Sequence, residues 1–351
     1  MTLAASTRRT SRTRGAIALA VAAVSIASLV GCSTAPGGSG PSAGTAANGA
    51  FPVTIKSVLG DAVIENKPER VVTIGWGSAD TAVALGTTPV GVEVDAWSGD
   101  GDGYQVWTRA AIEERGDELP ETFTVYPEVD IDAIVELEPD LILAPNSGLS
   151  QADFDILSDL APTVAYPVAQ WRTGWQEQIE IIGQALGEAD AAATLIDDLS
   201  GQISAAAADH PELAELSFAY VYAGEPGTMS VYQDGDPRVD IISGLGMKLD
   251  PALAELPIGE GMFTSSIGLE RADLLADVDV LFTWFNDEAA AAQIAAQPLY
   301  AQIPAVERGS YVVNLDRQLG MAMSMITPYS VPYALDEYLP QILAAAAKAA
   351  S

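Results

Sequence analysis

The 351-residue chain holds one histidine, His210, and one cysteine, Cys32. That pair excludes most side-chain chemistry. A Ser-His-Asp or Cys-His arrangement needs an imidazole beside its nucleophile. His210 lies in AADHPEL, just before a proline, and reads as a helix end. Zinc and copper sites built on His and Cys are not available, so only oxygen-ligand metals stay open. The 48 acidic residues supply carboxylate pairs throughout the chain. An exported hydrolase using two carboxylates therefore gains nothing from composition. Aromatic rings and a few arginines are the other side chains whose positions invite a reading.

The six tryptophans are not scattered at random. Trp76 follows the strand-like VVTIG. Trp97, Tyr104 and Trp107 fall in WSGDGDGYQVWTR, a Gly/Asp-rich stretch with few core-forming residues. Trp171 follows VAYPVAQ, Tyr222 ends LSFAYVY and Trp284 ends DVLFT. Ligands of open α/β sheets bind at the carboxyl ends of the strands, so these rings are candidate pocket walls. Ordinary core packing is the alternative for each. Trp175, in the helical WQEQIEII, reads as helix-face packing. Arg172, Arg238 and Arg317 follow predicted strands and could donate forked hydrogen bonds to an oxygen-rich anion; a surface ion pair is the alternative. Arg70 reads as structural and Arg308 as a turn residue. Met321, Met323 and Met325 lie in DRQLGMAMSMITPYS, where they would form either an adaptable pocket wall or core.

These residues need elements to position them. VTI and AVI around Gly60-Asp61 predict a hairpin, and Val71–Ile74 predicts a buried strand. A short helix ending at Gly86, strand 90–94, helix–turn–strand over 131–145 and the strand-like APTVAYP follow. Short apolar strands alternating with helices predict a parallel α/β sheet. From Trp171 to His210 the pattern is helical, with a break near Gly187. The second part, 189–209, would be a helix about 30 Å long, fit to act as a strut. Strands then return at 216–223, 229–233 and 310–315. DPRVDIISGLGM and GLERADLL predict helices, the latter leading into strand DVLFTW, and YALDEYLPQILAAAAKAA closes the chain as an amphipathic helix. IDAIVELEPDLILA and LERADLLADVDVLFT echo each other, which suggests two similar lobes. Their ligand site would lie in the cleft between them.

The amino-terminal end sets location. MTLAASTRRTSRTR carries four arginines and no acid, and Gly15–Gly31 is uncharged, which is the pattern of a secretory signal peptide. Leu29-Val30-Gly31-Cys32 resembles the lipobox of bacterial lipoproteins, which implies lipidation of Cys32 and a mature chain starting there. Two acyl chains anchor stably where one is marginal. Residues 33–50 are rich in Gly, Ser, Ala and Pro and read as a flexible leash. The expected organisation is a signal peptide over 1–31, a linker over 32–50, an N-terminal lobe over 51–170, a connecting helix over 171–210 and a C-terminal lobe over 211–351. The whole chain carries −32; loss of residues 1–31 leaves 12 basic and 48 acidic residues, or −36. Such a surface repels nucleic acid and anionic lipid. One cysteine also excludes an intrachain disulfide, so the core must supply stability.

PERVVTIGWGSADTAVALGTTPVGV, VDIDAIVELEPDLILA, and APTVAYP followed by WQEQIEIIGQALG resemble the substrate-binding proteins of iron–siderophore ABC importers, over essentially all of 51–345. The first two motifs are shared with haem and cobalamin binders. WGSAD and DAWSGDGDGYQVWTRAAIE are closer to the ferric-siderophore branch. The resemblance implies two Rossmann-like α/β lobes joined by one long helix, limited closure, and a ligand cleft between the lobes. It implies a monomeric, extracytoplasmic, membrane-tethered binding protein rather than an enzyme. Its partners would be a ferric siderophore, an ABC permease and its ATPase. It would hold no resident cofactor, because the iron arrives already chelated. The resemblance also implies an acid on each lobe that meets permease arginines, here Asp132 and Glu270; helix N-terminal acids complementing the dipole are the alternative. The excess negative charge favours a neutral or cationic chelate, and the arginines favour an anionic one.

Overall fold

A computed structural model describes residues 51–259 and 263–351. The signal-peptide segment, the linker and Cys32 lie outside the described residues. Val71-Val72-Thr73 and Leu141-Ile142-Leu143 are buried at every position, as strands covered on both faces of a parallel sheet must be. The chain opens with the antiparallel hairpin β1 (Val53–Ile55) and β2 (Ala62–Ile64). It continues through β3 (Val71–Thr73), α1 (Ser78–Ala84), β4 (Gly91–Glu93), α2 (Val106–Arg115) and β5 (Glu121–Phe123). Then come α3 (Ile131–Glu136), β6 (Leu141–Leu143), α4 (Gln151–Leu160) and β7 (Thr163–Val164). The strands order as β5-β4-β3-β6-β7, all parallel. The order reverses beside β3, so the crevice beyond the carboxyl ends of β3 and β6 is the natural ligand position.

The break expected near Gly187 divides the connecting segment 171–210 into two helices, α5 (Trp175–Leu186) and α6 (Ala189–Asp209), packed on each other. Gly187 ends α5 in the left-handed region, at φ 73, and its N–H returns to Gln184 O. Ile179, Ile182 and Leu186 put α5 on the first sheet, against α1 and β1. Only α6 carries the chain across to the second sheet, and it ends at His210.

The second sheet is mixed rather than purely parallel. Its strands are β8 (Ser217–Tyr222), β9 (Thr228–Tyr232), β10 (Lys248–Leu249), β11 (Thr264–Gly268), β12 (Val280–Trp284) and β13 (Tyr311–Asn314). They order as β11-β9-β8-β12-β13, with β10 also on β8. β12 is parallel to β8 and β13, whereas β9 is antiparallel to β8 and β11. Helix α7 (Pro237–Gly244) follows β9; α8 (Pro251–Ala254), α9 (Glu288–Ala295), α10 (Pro298–Ala301) and α11 (Pro304–Arg308) are short. GLERADLL, expected as a helix, forms a 3-10 stretch kinked at Arg271. DRQLGMAMS contains the helix α12 (Arg317–Ser324), which Asp316 caps by accepting from Gln318 N and Leu319 N. Helix α13 (Ser330–Ala349) closes the chain. Among the described residues no helix is long and apolar enough to cross a membrane.

One buried cluster runs from Ile55 and Val71 through α5 and α6 to Phe282 and Tyr338. Thr327 also donates to Asp80 at 2.5 Å, tying the segment before α13 to α1. The two sheets thus share a core along one side, and a cleft is left on the other.

Candidate functional site

The turns after β3, β6 and β7 build one wall of that cleft. Trp76 N donates to Asn146 O (3.1 Å), and Trp76 O accepts from Gln178 Nε2 (2.6 Å). Both backbone groups of Trp76 are therefore anchored, and its ring is free to face outward. Trp171 meets it with ring centroids 5.1 Å apart. Trp171 holds φ 58, an uncommon value for a bulky side chain, and is 38% exposed. Strain of this sort persists where the surroundings fix it, often at ligand sites.

The opposite wall comes from β8, β9 and α7. Tyr222 stacks on Trp284 at 4.5 Å, and Trp284 Nε1 donates to Tyr232 Oη at 3.2 Å. Arg238 lies over Tyr232, 4.2 Å from Cζ to the ring centre. Its Nε and Nη2 form a fork to Asp236 Oδ1 (2.8 Å) and Oδ2 (2.7 Å), and Nη1 reaches Ser324 Oγ (3.3 Å). Burial works against the Arg238 charge, but adjacent Asp236 outweighs it and raises the guanidinium pKa. Burial, with Asp236 and Asp234 nearby, raises the pKa of Asp240 in the same wall.

Between the walls lies a cavity of about 600 Å³. Trp76, Trp171, Tyr222 and Arg238 line it, as the sequence reading expected of them, together with Asn146 and Ser324. Four further rings line it that the reading missed: Tyr126, Trp175, Tyr232 and Phe263. Tyr126 follows β5, the same strand-end signal that singled out Trp76. Trp175 is the first residue of α5, so it caps the cleft-facing end of the helix instead of packing along its flank. Arg172 stacks on Phe263 at 4.4 Å, at the edge of the cavity.

Other predicted residues sit elsewhere. Trp107 is core: it is 6% exposed, donates Nε1 to Asp80 Oδ2 (3.0 Å) and packs on Tyr333 (5.2 Å). It is the second residue of α2, on the face turned toward α1, which the Gly/Asp-rich setting disguised. Trp97 meets Trp284 edge-on at 5.7 Å and donates to Asn286 Oδ1 (3.1 Å), so it bridges the lobes without lining either cavity. Arg317 is exposed and lies over Trp97 at 5.9 Å. Asp132 and Glu270 are exposed acids in the first turns of α3 and of the 3-10 stretch.

Tyr104 and Met321 line a second, inner pocket of about 100 Å³, with Trp76 as a wall shared with the cleft. Three carboxylates, Asp80, Glu93 and Asp95, also line it. Glu93 Oε2 accepts from Gly75 N at 2.8 Å, and burial raises its pKa, with Asp95 adding to the shift. Among the described residues no cluster of His, Cys, Asp and Glu could hold a metal ion.

An aromatic cavity with one forked cation can enclose a bulky, oxygen-rich organic complex; among the described residues no group of three or more His, Cys, Asp and Glu side chains is gathered to hold a bare ion. Residues 71–319 match the family described as Periplasmic binding protein. The chain is 26% identical to the ferric enterobactin-binding periplasmic protein FepB of Escherichia coli O6:H1, over 73% of this chain and 82% of that protein. It is 26% identical to the achromobactin-binding periplasmic protein of Dickeya dadantii, over 70% and 79%. Among solved structures, PiaA of Streptococcus pneumoniae TIGR4 in complex with ferrichrome superposes with TM-score 0.76 at 30% identity, covering 84% of this chain and 99% of PiaA. The two-lobed α/β fold, the cleft and these matches make the chain a member of the periplasmic binding protein family, whose relatives bind ligands and are not enzymes.

Proposed function

We propose that this protein captures a ferric siderophore in the cleft and delivers it to an ABC permease, while tethered outside the cytoplasmic membrane through lipidated Cys32. The observation that carries the reading is the cavity itself. Seven aromatic rings and Arg238 surround a volume of about 600 Å³, a surface suited to a chelate whose metal is already wrapped in oxygen ligands. The names of FepB, the achromobactin-binding protein and PiaA support the same ligand class.

Tryptophan-fluorescence titration of the chain from Ser33 onward tests it, with ferrioxamine, ferrichrome, a ferric catecholate, ferric citrate, haemin and cyanocobalamin, and iron-free chelators as controls. Saturable quenching by one iron complex at roughly sub-micromolar concentration is expected. Quenching by haemin or cyanocobalamin alone would move the ligand to a tetrapyrrole, and no saturation with any of them would remove the reading.

Asp132 and Glu270 are assigned to permease contact, since both are exposed acids at helix starts, one on each lobe. The double variant Asp132→Ala, Glu270→Ala is expected to bind its ligand unchanged and to lower cellular uptake by roughly tenfold. Unchanged uptake, or lost binding, would end that assignment.

A further inference from the structure

The inner pocket is built for a positive charge. Asp80, Glu93 and Asp95 line it, and none forms an ion pair with a cation among the described residues. Two of the three are occupied by neutral donors. Asp80 accepts from Trp107 Nε1 (3.0 Å), Thr108 and Thr327 (2.5 Å). Asp95 accepts from Trp97 N and Ser98 N (both 2.9 Å), Ser98 Oγ and Gln105 Nε2. The Asp80 donors pull its pKa down, but burial outweighs them and raises it. Glu93 differs: Gly75 N takes Oε2, and among the described residues no hydrogen bond occupies Oε1.

Two more acceptors in the lining lack a partner. Thr73, only 2% exposed, has its Oγ1 buried and unpaired, and Gln105 Oε1 is likewise buried and unpaired. A carboxylate can only accept, so Asp95 orients the Gln105 amide with nitrogen toward itself and leaves the oxygen as the free end. Three oxygens of this lining, Glu93 Oε1, Thr73 Oγ1 and Gln105 Oε1, have no hydrogen-bond partner among the described residues, equal in number to the N–H donors of a primary ammonium. Water could satisfy these acceptors, but only a cation would offset the charge of an ionised Glu93. A cavity of about 150 Å³ takes benzene; this one, at about 100 Å³, takes a shorter chain. Met321 and Met325 supply an apolar side for its methylenes.

We propose that the inner pocket binds a primary alkylammonium group, reached past Trp76 and held by Glu93, Thr73 and Gln105. Its source is a pendant amine on the captured chelate, an inference that rests on the proposed function; a free small amine is the other source.

The test follows the Trp76 indole N–H resonance, assigned with Trp76→Phe, in protein from Ser33 onward. Propylammonium is expected to shift it saturably at roughly millimolar concentration, and 1-propanol is not. In Glu93→Gln, which keeps an acceptor for Gly75 N, the ammonium affinity is expected to fall at least about tenfold. Equal shifts with the alcohol, or unchanged affinity in Glu93→Gln, would overturn the site. The source is read by titrating ferrioxamine B, which ends in a primary ammonium, against its N-acetyl derivative. A loss of about tenfold on acetylation supports the pendant amine; equal binding of the two assigns the pocket to a free amine. If propylammonium binds while every iron complex fails, the pocket stands and the proposed function falls. If the iron complexes bind and propylammonium does not, the reverse holds.

Discussion

Gly75→Ala is expected to lower the thermal midpoint by roughly 6 to 10 °C and to weaken ligand binding by at least about tenfold. Gly75 stands between β3 and Trp76 with φ 84. A methyl there would sit 2.3 Å from Asn146 O and 2.8 Å from Ser147 Cβ. The left-handed backbone costs an L-residue about 1–2 kcal/mol, and overpacking against rigid backbone adds about 1–3 kcal/mol. The chain can relieve the clash only by separating the ends of β3 and β6 or by turning Gly75 over. Either movement displaces Trp76 and breaks the Gly75 N bond to Glu93, so both cavities lose a wall. Gly86→Ala is the control. Gly86 also has positive φ, 92, but its Cβ would meet nothing within 4 Å, so only the conformational cost, about 1 kcal/mol, is expected. Calorimetry of the two variants checks this, and equal midpoints would refute the close-approach account of Gly75.

Arg238→Ala should be nearly as damaging, for an electrostatic reason. The guanidinium is the fork partner of Asp236, which is 2% exposed. Removing one member of a buried pair costs about 3–5 kcal/mol, because the other charge is left uncompensated. Asp236 keeps the Arg238 backbone N–H as a helix-capping donor at 3.0 Å, so the lower end, about 3 kcal/mol, is expected. Asp236→Asn retains the cap and removes the orphaned charge. The double variant should therefore regain most of the lost stability while still lacking the cation at the cavity wall. Its binding then separates two ligand classes: an anionic chelate loses at least about tenfold affinity, and a neutral one changes little. Arg238→Lys keeps charge but not the fork and should fall between. If the double variant is no more stable than Arg238→Ala, the pair is not what holds this wall.

The elements were legible where one physical signal dominated. Val71-Val72-Thr73 and Leu141-Ile142-Leu143 have no polar face to expose, so buried parallel strands are their only stable fate. Gly187 ended α5 where a helical pattern met a residue tolerant of φ 73. Trp76 and Tyr222 were found because a ring at or just past a strand end stands near the crevice, but the same signal also picked Trp284, which ends β12, stacks behind Tyr222 and lines neither cavity. Strand β11 and the antiparallel setting of β9 were not legible, because TSSIG carries no strong alternation and pairing direction depends on partners far along the chain.

The site shows the same division. Trp107 and Trp175 both sit within the first two residues of a helix, and the sequence assigns neither a direction. Trp107 turned inward because Asp80, Thr108 and Thr327 assemble a buried polar knot that its Nε1 completes. Trp175 turned to the cleft because α5 runs away from it along the first sheet. Phe263 and Tyr232 joined the wall through contacts with Arg172 and Arg238 that no spacing rule foretells.

The sequence by itself determined the class of this protein: an α/β chain of two lobes, acidic, with one histidine and one cysteine, whose rings gather at strand ends. Those properties depend on composition and on neighbours within a few residues. Which rings face the cleft, which arginine stays forked beside it, and that three acids share a pocket without a cation among the described residues were decided only when distant segments met. Asp80 and Thr327 lie 247 residues apart, and long-range contacts of that kind depend on how the whole core closes, not on any local preference.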